Sequence, residues 1–157
     1  MKILKKITLI FVFFLLYQCG FKAIDKKQII DFSINEINTV GNKRINFKIK
    51  NNLMINSVKE SSNILNINIK TEKIKSVKEK NIKNEITKYQ ISLNALISFN
   101  LLNDQKKSSF NVNVDGDYLV ANNYSKTLNN EKKLTNDLVE SLYEKILKEI
   151  TLKLNDI

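Results

Sequence analysis

From residue 29 onward, apolar and polar positions fall into two recognisable periods. Ile30, Phe32 and Ile34 alternate with Asp31, Ser33 and Asn35, the period-two pattern of a strand with one buried face. Gly41-Asn42 breaks the alternation. Residues 43–56 carry both periods: Ile45, Phe47 and Ile49 alternate, whereas Ile45, Ile49 and Leu53 share one helical face, and the fourfold spacing favours a helix. After Ser61-Ser62-Asn63, Leu65, Ile67 and Ile69 alternate with Asn66, Asn68 and Lys70, which predicts a second strand. The stretch 72–86 (EKIKSVKEKNIKNEI) is highly charged and weakly apolar. It fits an extension of the strand or a mobile connection, and is read as a strand end plus loop. The third strand is the clearest. Tyr89, Ile91, Leu93, Ala95, Ile97, Phe99 and Leu101 face one way, against Gln90, Ser92, Asn94, Ser98 and Asn100, with Leu96 the exception. Asn103 to Lys107 supplies a polar turn. Phe110, Val112 and Val114 then alternate with Asn111, Asn113 and Asp115 as a fourth strand. Asp115-Gly116-Asp117 has the composition of a turn or bulge, or, inside a long strand, marks close backbone approach at Gly116.

The last segment changes period. Leu134, Leu138, Leu142, Ile146 and Ile150 recur every fourth residue, joined by Val139, Tyr143, Leu147 and Leu154. Asp137, Glu140, Glu144 and Lys148 lie opposite. This predicts an amphipathic helix over about Asn130–Leu154, capped by Asn129 or Asn130, with Glu131 well placed against the helix dipole. The order is β-α-β-β-β-α. One-sided strands need a cover, so the fold class expected is α+β: a two-layer sandwich, a four-stranded sheet covered on one face by two helices. A chain of 157 residues suits one such domain, over residues 29–157.

Ahead of it, Met1 to Lys6 is short and basic, and Ile7 to Leu16 (ITLIFVFFLL) is apolar apart from Thr8. That run is about ten residues, half of what a membrane-spanning helix requires (about 20). A basic start, a short apolar run and a cysteine just behind it read as a secretory signal peptide over residues 1–18. Cys19 is the only cysteine, so no internal disulfide can form. Its position at the end of the apolar run selects modification. The sequence LYQCG around it resembles the lipobox of bacterial lipoproteins, with Gln18 where a small residue is usual. The resemblance implies a diacylglyceryl group and an N-acyl chain on Cys19, a lipidated tether over residues 19–28, and no other cofactor. Gly20 stands where lipoproteins kept at the inner membrane often carry Asp, which favours the outer membrane.

Composition mainly removes options. With no histidine there is no imidazole base, no histidine metal ligand and no serine–histidine or cysteine–histidine nucleophile. Three glycines form no phosphate loop or dinucleotide fingerprint. A carboxylate pair such as Asp115 and Asp117 has the means for acid–base work or Ca²⁺, but flanking Gly116 the two read as strand-edge chemistry instead. The expectation is a protein that is not an enzyme and acts through its surfaces. Net charge is +10; without Lys2, Lys5 and Lys6 it falls to roughly +7, from lysines scattered without a dense block. They read as a solvated surface, with anionic lipid and then nucleic acid as further partners to weigh.

Cys19-Gly20-Phe21 resembles the CGF start of the mature LPS-assembly lipoprotein LptE family. The resemblance continues through the Gly41-Asn42 break, a helix carrying Asn52-Leu53, the long strand from Tyr89, a strand ending near Tyr118 and a closing Leu/Ile-rich helix. It implies an outer-membrane lipoprotein, facing the periplasm, that plugs the barrel protein LptD, helps it assemble, and assists lipopolysaccharide delivery to the cell surface. Lys106 and Lys107, adjacent in a turn, are the candidate lipopolysaccharide contacts. Two other readings remain. One is a periplasm-facing lipoprotein holding a small ligand or lipid between helices and sheet. The other is a cytoplasmic basic α+β domain that binds nucleic acid.

Overall fold

The computed structural model describes residues 31–102 and 107–155. The segments read as signal peptide and tether, with Cys19 and Lys106, lie outside the described residues. Six elements follow one another: β1 (Ser33–Gly41), α1 (Lys43–Asn56), β2 (Ile64–Lys80), β3 (Ile86–Leu101), β4 (Lys107–Leu119) and α2 (Tyr124–Asn155). The strands form one sheet in sequence order, β1 parallel to β2 and the other pairs antiparallel. A parallel pair needs a crossover, and α1 is that crossover. The α+β order and the two-helix cover are as expected.

The alternation decides which face is covered. Leu65, Ile67 and Ile69 of β2, Ile91 to Phe99 at odd positions of β3, and Val112 and Val114 of β4 are buried. They meet Ile45, Ile49 and Leu53 of α1 and Leu138, Leu142, Ile146 and Ile150 of α2. The buried pair Asn46 and Thr71 is satisfied internally, Thr71 Oγ1 donating to Asn46 Oδ1 at 2.6 Å. Gly41 ends β1 at φ +107, a conformation that side chains resist. A Cβ there would sit 1.9 Å from the Thr71 carbonyl oxygen.

The structure settles details that the periodicity left open and moves one boundary. In the stretch 72–86 the strand takes the larger share: β2 runs on to Lys80, and only residues 81–85 turn. That turn is set by Asn81, whose Oδ1 accepts from the backbone N–H of Lys83 (2.9 Å) and Glu85 (3.0 Å), and by Asn84 at φ 63. Asp115-Gly116-Asp117 is neither turn nor bulge, because β3 and β4 pair without a register shift through it. Gly116 instead marks close approach: a Cβ there would lie 2.8 Å from Leu134 Cδ1 of α2. In β1 a register shift between Ile34 and Glu36 resets the alternation, so Ile37, not Glu36, turns inward. Finally, α2 starts at Tyr124 rather than near Asn130. Asn123 Oδ1 caps it, accepting from Lys126 N–H at 2.7 Å, while Asn130 Nδ2 donates to the Leu119 carbonyl at 3.0 Å.

Candidate interaction surfaces

Because both helices lie on one face, the other face of the sheet has no cover among the described residues. Its residues run in cross-strand rows fixed by the register: Asn38, Asn68, Ser98 and Ser109 in one, Glu72, Asn94 and Asn113 in another. Asn66, Asn100 and Lys107 form a third. Neighbours bond across the rows, Asn35 Nδ2 to Asn66 Oδ1 at 2.8 Å and Asn113 Nδ2 to Asn94 Oδ1. Apolar residues interrupt it at Val40, Ile74, Leu96 and Leu119, and charged ones at Glu36, Lys70, Glu72 and Lys88. Between these, the centre of the face is built of neutral amides and hydroxyls, each able both to donate and to accept. Such a face binds by hydrogen bonding rather than by hydrophobic burial.

Lys107 opens β4 on this face, exposed and opposite Asn100. Asp115 and Asp117 also point here, exposed, and Asp115 Oδ2 accepts from Gln90 Nε2 at 3.3 Å. They hold no metal-like cluster: no group of three potential ligands exists among the described residues.

On the covered side, beyond Thr71, the inward positions of β2 become lysines. Lys73 Nζ lies 3.2 Å from Glu131 Oε1 and Lys75 Nζ 2.8 Å from Glu131 Oε2. Tyr118 donates its hydroxyl to Glu131 Oε2 at 3.0 Å. The Lys75 ammonium stands 4.4 Å from the Tyr89 ring, which stacks on Tyr118 at 5.6 Å. The hydrogen bond from Lys75, with help from Lys73 and Tyr118, brings the Glu131 carboxyl down from 4.5 to about 2. In return the bond to Glu131 raises Lys75 well above the ordinary lysine range, and burial raises the Tyr118 phenol. The cluster closes the end of the core where the aliphatic layer stops. Sequence reasoning missed it, placing Glu131 in a dipole role; the alternation of Lys73 and Lys75 with Thr71 was the available signal.

Beside this cluster, a cleft of about 580 Å³ opens between the two helices. Ile45, Leu128 and Val139 supply apolar walls, and Arg44, Lys48, Lys73 and Lys132 supply cations. Its size is within the usual range for a small-molecule site. No described helix is long and apolar enough to cross a membrane.

No protein-family model matches the chain, and no curated protein matches it in sequence. Solved structures do. Rare lipoprotein B from Shewanella oneidensis is 12% identical with a TM-score of 0.61, over 78% of this chain and 98% of that one. Lipoprotein B from Nitrosomonas europaea is 10% identical with a TM-score of 0.53, over 80% of this chain and 88% of that one. At such identities the similarity concerns architecture, and the architecture of this chain is one that bacterial lipoproteins share.

Proposed function

We propose that the chain is an outer-membrane lipoprotein, acylated on Cys19, whose domain plugs an LptD-type barrel, supports its assembly, and assists delivery of lipopolysaccharide to the cell surface. The observation that carries this reading is the uncovered face of the sheet. The lumen of a transport barrel is polar, and a plug in contact with it needs groups that match polar partners without stranding charge. The side chains of Asn68, Asn94, Ser98 and Asn113, at the centre of that face, have that chemistry. The shared lipoprotein fold and the CGF start supply the rest of the support. The role is one of binding and scaffolding, not catalysis. In this setting Lys107, with its sequence neighbour Lys106, is the proposed lipopolysaccharide contact, a lysine ammonium meeting phosphate as a point charge.

Native pull-down from detergent-solubilised outer membranes tests the reading. A large β-barrel protein should co-purify, and Asn94→Glu with Ser98→Glu should release it while circular dichroism stays unchanged. Recovery as a free lipoprotein at every detergent strength would refute it. For the lysines, unchanged lipopolysaccharide binding by Lys106→Ala with Lys107→Ala removes them from the proposal.

The interhelical cleft favours a second reading, a lipoprotein that carries a small ligand or lipid between helices and sheet. That reading requires ligand to co-elute with natively purified protein. Filling the cleft with Val139→Trp should then abolish co-elution.

A further inference from the structure

Helices α1 and α2 lie side by side and are joined by polar rungs in matched turns. Asn52 Nδ2 donates to Glu140 Oε2 at 3.3 Å, and one turn earlier on both helices Lys48 Nζ donates to Asn136 Oδ1 at 2.6 Å. Both pairs are 88 residues apart, as two helices running in the same direction require. The next rung toward the helix starts, at the same offset, is Arg44 and Lys132. Both line the interhelical cleft, and neither side chain has a hydrogen-bond or ion-pair partner among the described residues. The ladder thus ends on two like charges at one gap, whereas each earlier rung joins a donor to an acceptor. The rest of the cleft does not balance them. Lys48 is met only by a neutral amide oxygen, and Lys73 shares Glu131 with Lys75. Glu131 is the only carboxylate in the lining, facing the four cations Arg44, Lys48, Lys73 and Lys132. Its oxygens already accept from Lys73, Lys75 and Tyr118.

We propose that the cleft binds a phosphomonoester with a short apolar flank, whose phosphate sits between Arg44 and Lys132 and completes the ladder. The inference rests on the small-ligand reading of the cleft and names its ligand class; the uncovered sheet face takes no part in it. Like charges brought to one gap repel, and an anion between them turns that repulsion into two attractions. A guanidinium holds two phosphate oxygens in a fork, and an ammonium meets a third as a point charge. The excess of cations favours a dianion over a single carboxylate. Because the free pair brackets one gap, both negative charges belong on one centre, as in a phosphate, rather than at the two ends of a dicarboxylate. Ile45, Leu128 and Val139 give the remainder of the ligand an apolar wall, enough for a ring or a short chain. Soluble phosphate esters and phosphatidic lipid headgroups share this chemistry.

Isothermal titration calorimetry on the acylated mature protein in phosphatidylcholine nanodiscs tests this. Phenyl phosphate should bind one to one. Inorganic phosphate and benzyl alcohol, each keeping only part of the contacts, should bind about tenfold more weakly or worse. Dihexanoyl phosphatidic acid separates the two sources: tighter binding than phenyl phosphate assigns the cleft to a lipid headgroup, weaker binding to a soluble ester, and either outcome supports the shared chemistry. Arg44→Gln with Lys132→Gln should weaken phenyl phosphate by about tenfold or more. Lys83→Gln, exposed in the distant β2–β3 turn, should leave it unchanged. Equal weakening by Lys83→Gln would reduce the effect to general charge attraction and overturn the proposal. Lys132→Glu supplies the missing partner from within the chain. It should raise the urea midpoint through a new pair with Arg44 and abolish phenyl phosphate binding; binding that survives it overturns the proposal. A failure to bind phenyl phosphate overturns this inference alone when a ligand still co-elutes with natively purified protein. If nothing co-elutes either, the small-ligand reading falls with it.

Discussion

Replacing Glu131 with Gln keeps the shape of the side chain and removes the charge that pairs with Lys73 and holds Lys75 over the tyrosines. The magnitude follows from the carboxyl's displacement from 4.5 to about 2. Fully realised, a shift of that size corresponds to about 3 kcal/mol. Glu131 is 21% exposed and Lys75 39%, so solvent screening reduces the expected contribution to about 1–2 kcal/mol. The sign is that of a depressed carboxylate. Its stabilisation is complete above the unfolded value near 4.5 and is lost as pH falls toward 2. Glu131→Gln should therefore unfold at lower urea than the parent at pH 7, by about 1–2 kcal/mol, and the gap should close between pH 4.5 and 2. Using the difference between the two proteins cancels the general acid destabilisation that both share. Urea titrations across that window measure it. A gap that stays constant from pH 7 to pH 2 would refute the assignment of the stabilisation to the ionised carboxylate.

Other perturbations separate backbone, cap and buried polar effects. Gly41→Ala drives a Cβ into the Thr71 carbonyl at a positive φ and should cost about 3 kcal/mol or more; Gly116→Ala meets only the tip of Leu134 and should cost about 1. Comparing the two urea midpoints checks this. Asn46→Leu strands the buried Thr71 hydroxyl and should cost about 1–3 kcal/mol, most of it recovered when Thr71→Val is added. A double-mutant cycle with no coupling would reject that pairing. Asn123→Ala removes the cap of α2 and should cost about 1 kcal/mol, with faster amide exchange confined to the first turn.

Where the inward positions are aliphatic, the alternation in the sequence was sufficient. The β3 pattern from Tyr89 to Leu101 and the fourfold leucines of α2 placed the sheet face and the covering helix correctly. The spacing of Ile45, Ile49 and Leu53 resolved the ambiguous segment 43–56 into α1 for the same reason. The early start of α2 was hidden because Tyr124 to Lys133 contribute few core contacts and several polar residues able to cap. The uncovered face was legible as composition, in the Asn and Ser of β2 to β4. Its rows required the register, which a single sequence does not contain.

The stretch 72–86 shows why hydrophobic period fails at one kind of strand. Beyond Thr71 the inward places of β2 are Lys73, Lys75 and the half-exposed Val77, so a single apolar residue is all that is left of the alternation. There the Lys75 ammonium stands over Tyr89 and Tyr118, and both lysines are discharged on Glu131 from a distant part of the chain. The same charges answer a second requirement. β1 stops opposite Thr71, so the edge of β2 from Glu72 to Lys80 has no strand beside it among the described residues. An open edge of that length invites pairing with another chain, and lysines along it oppose such pairing. At the other edge of the sheet, Lys145 reaches from α2 to donate to the Asn113 carbonyl at 3.1 Å. The charge density that concealed the strand in the sequence is thus what allows the strand to end the sheet without recruiting a neighbour.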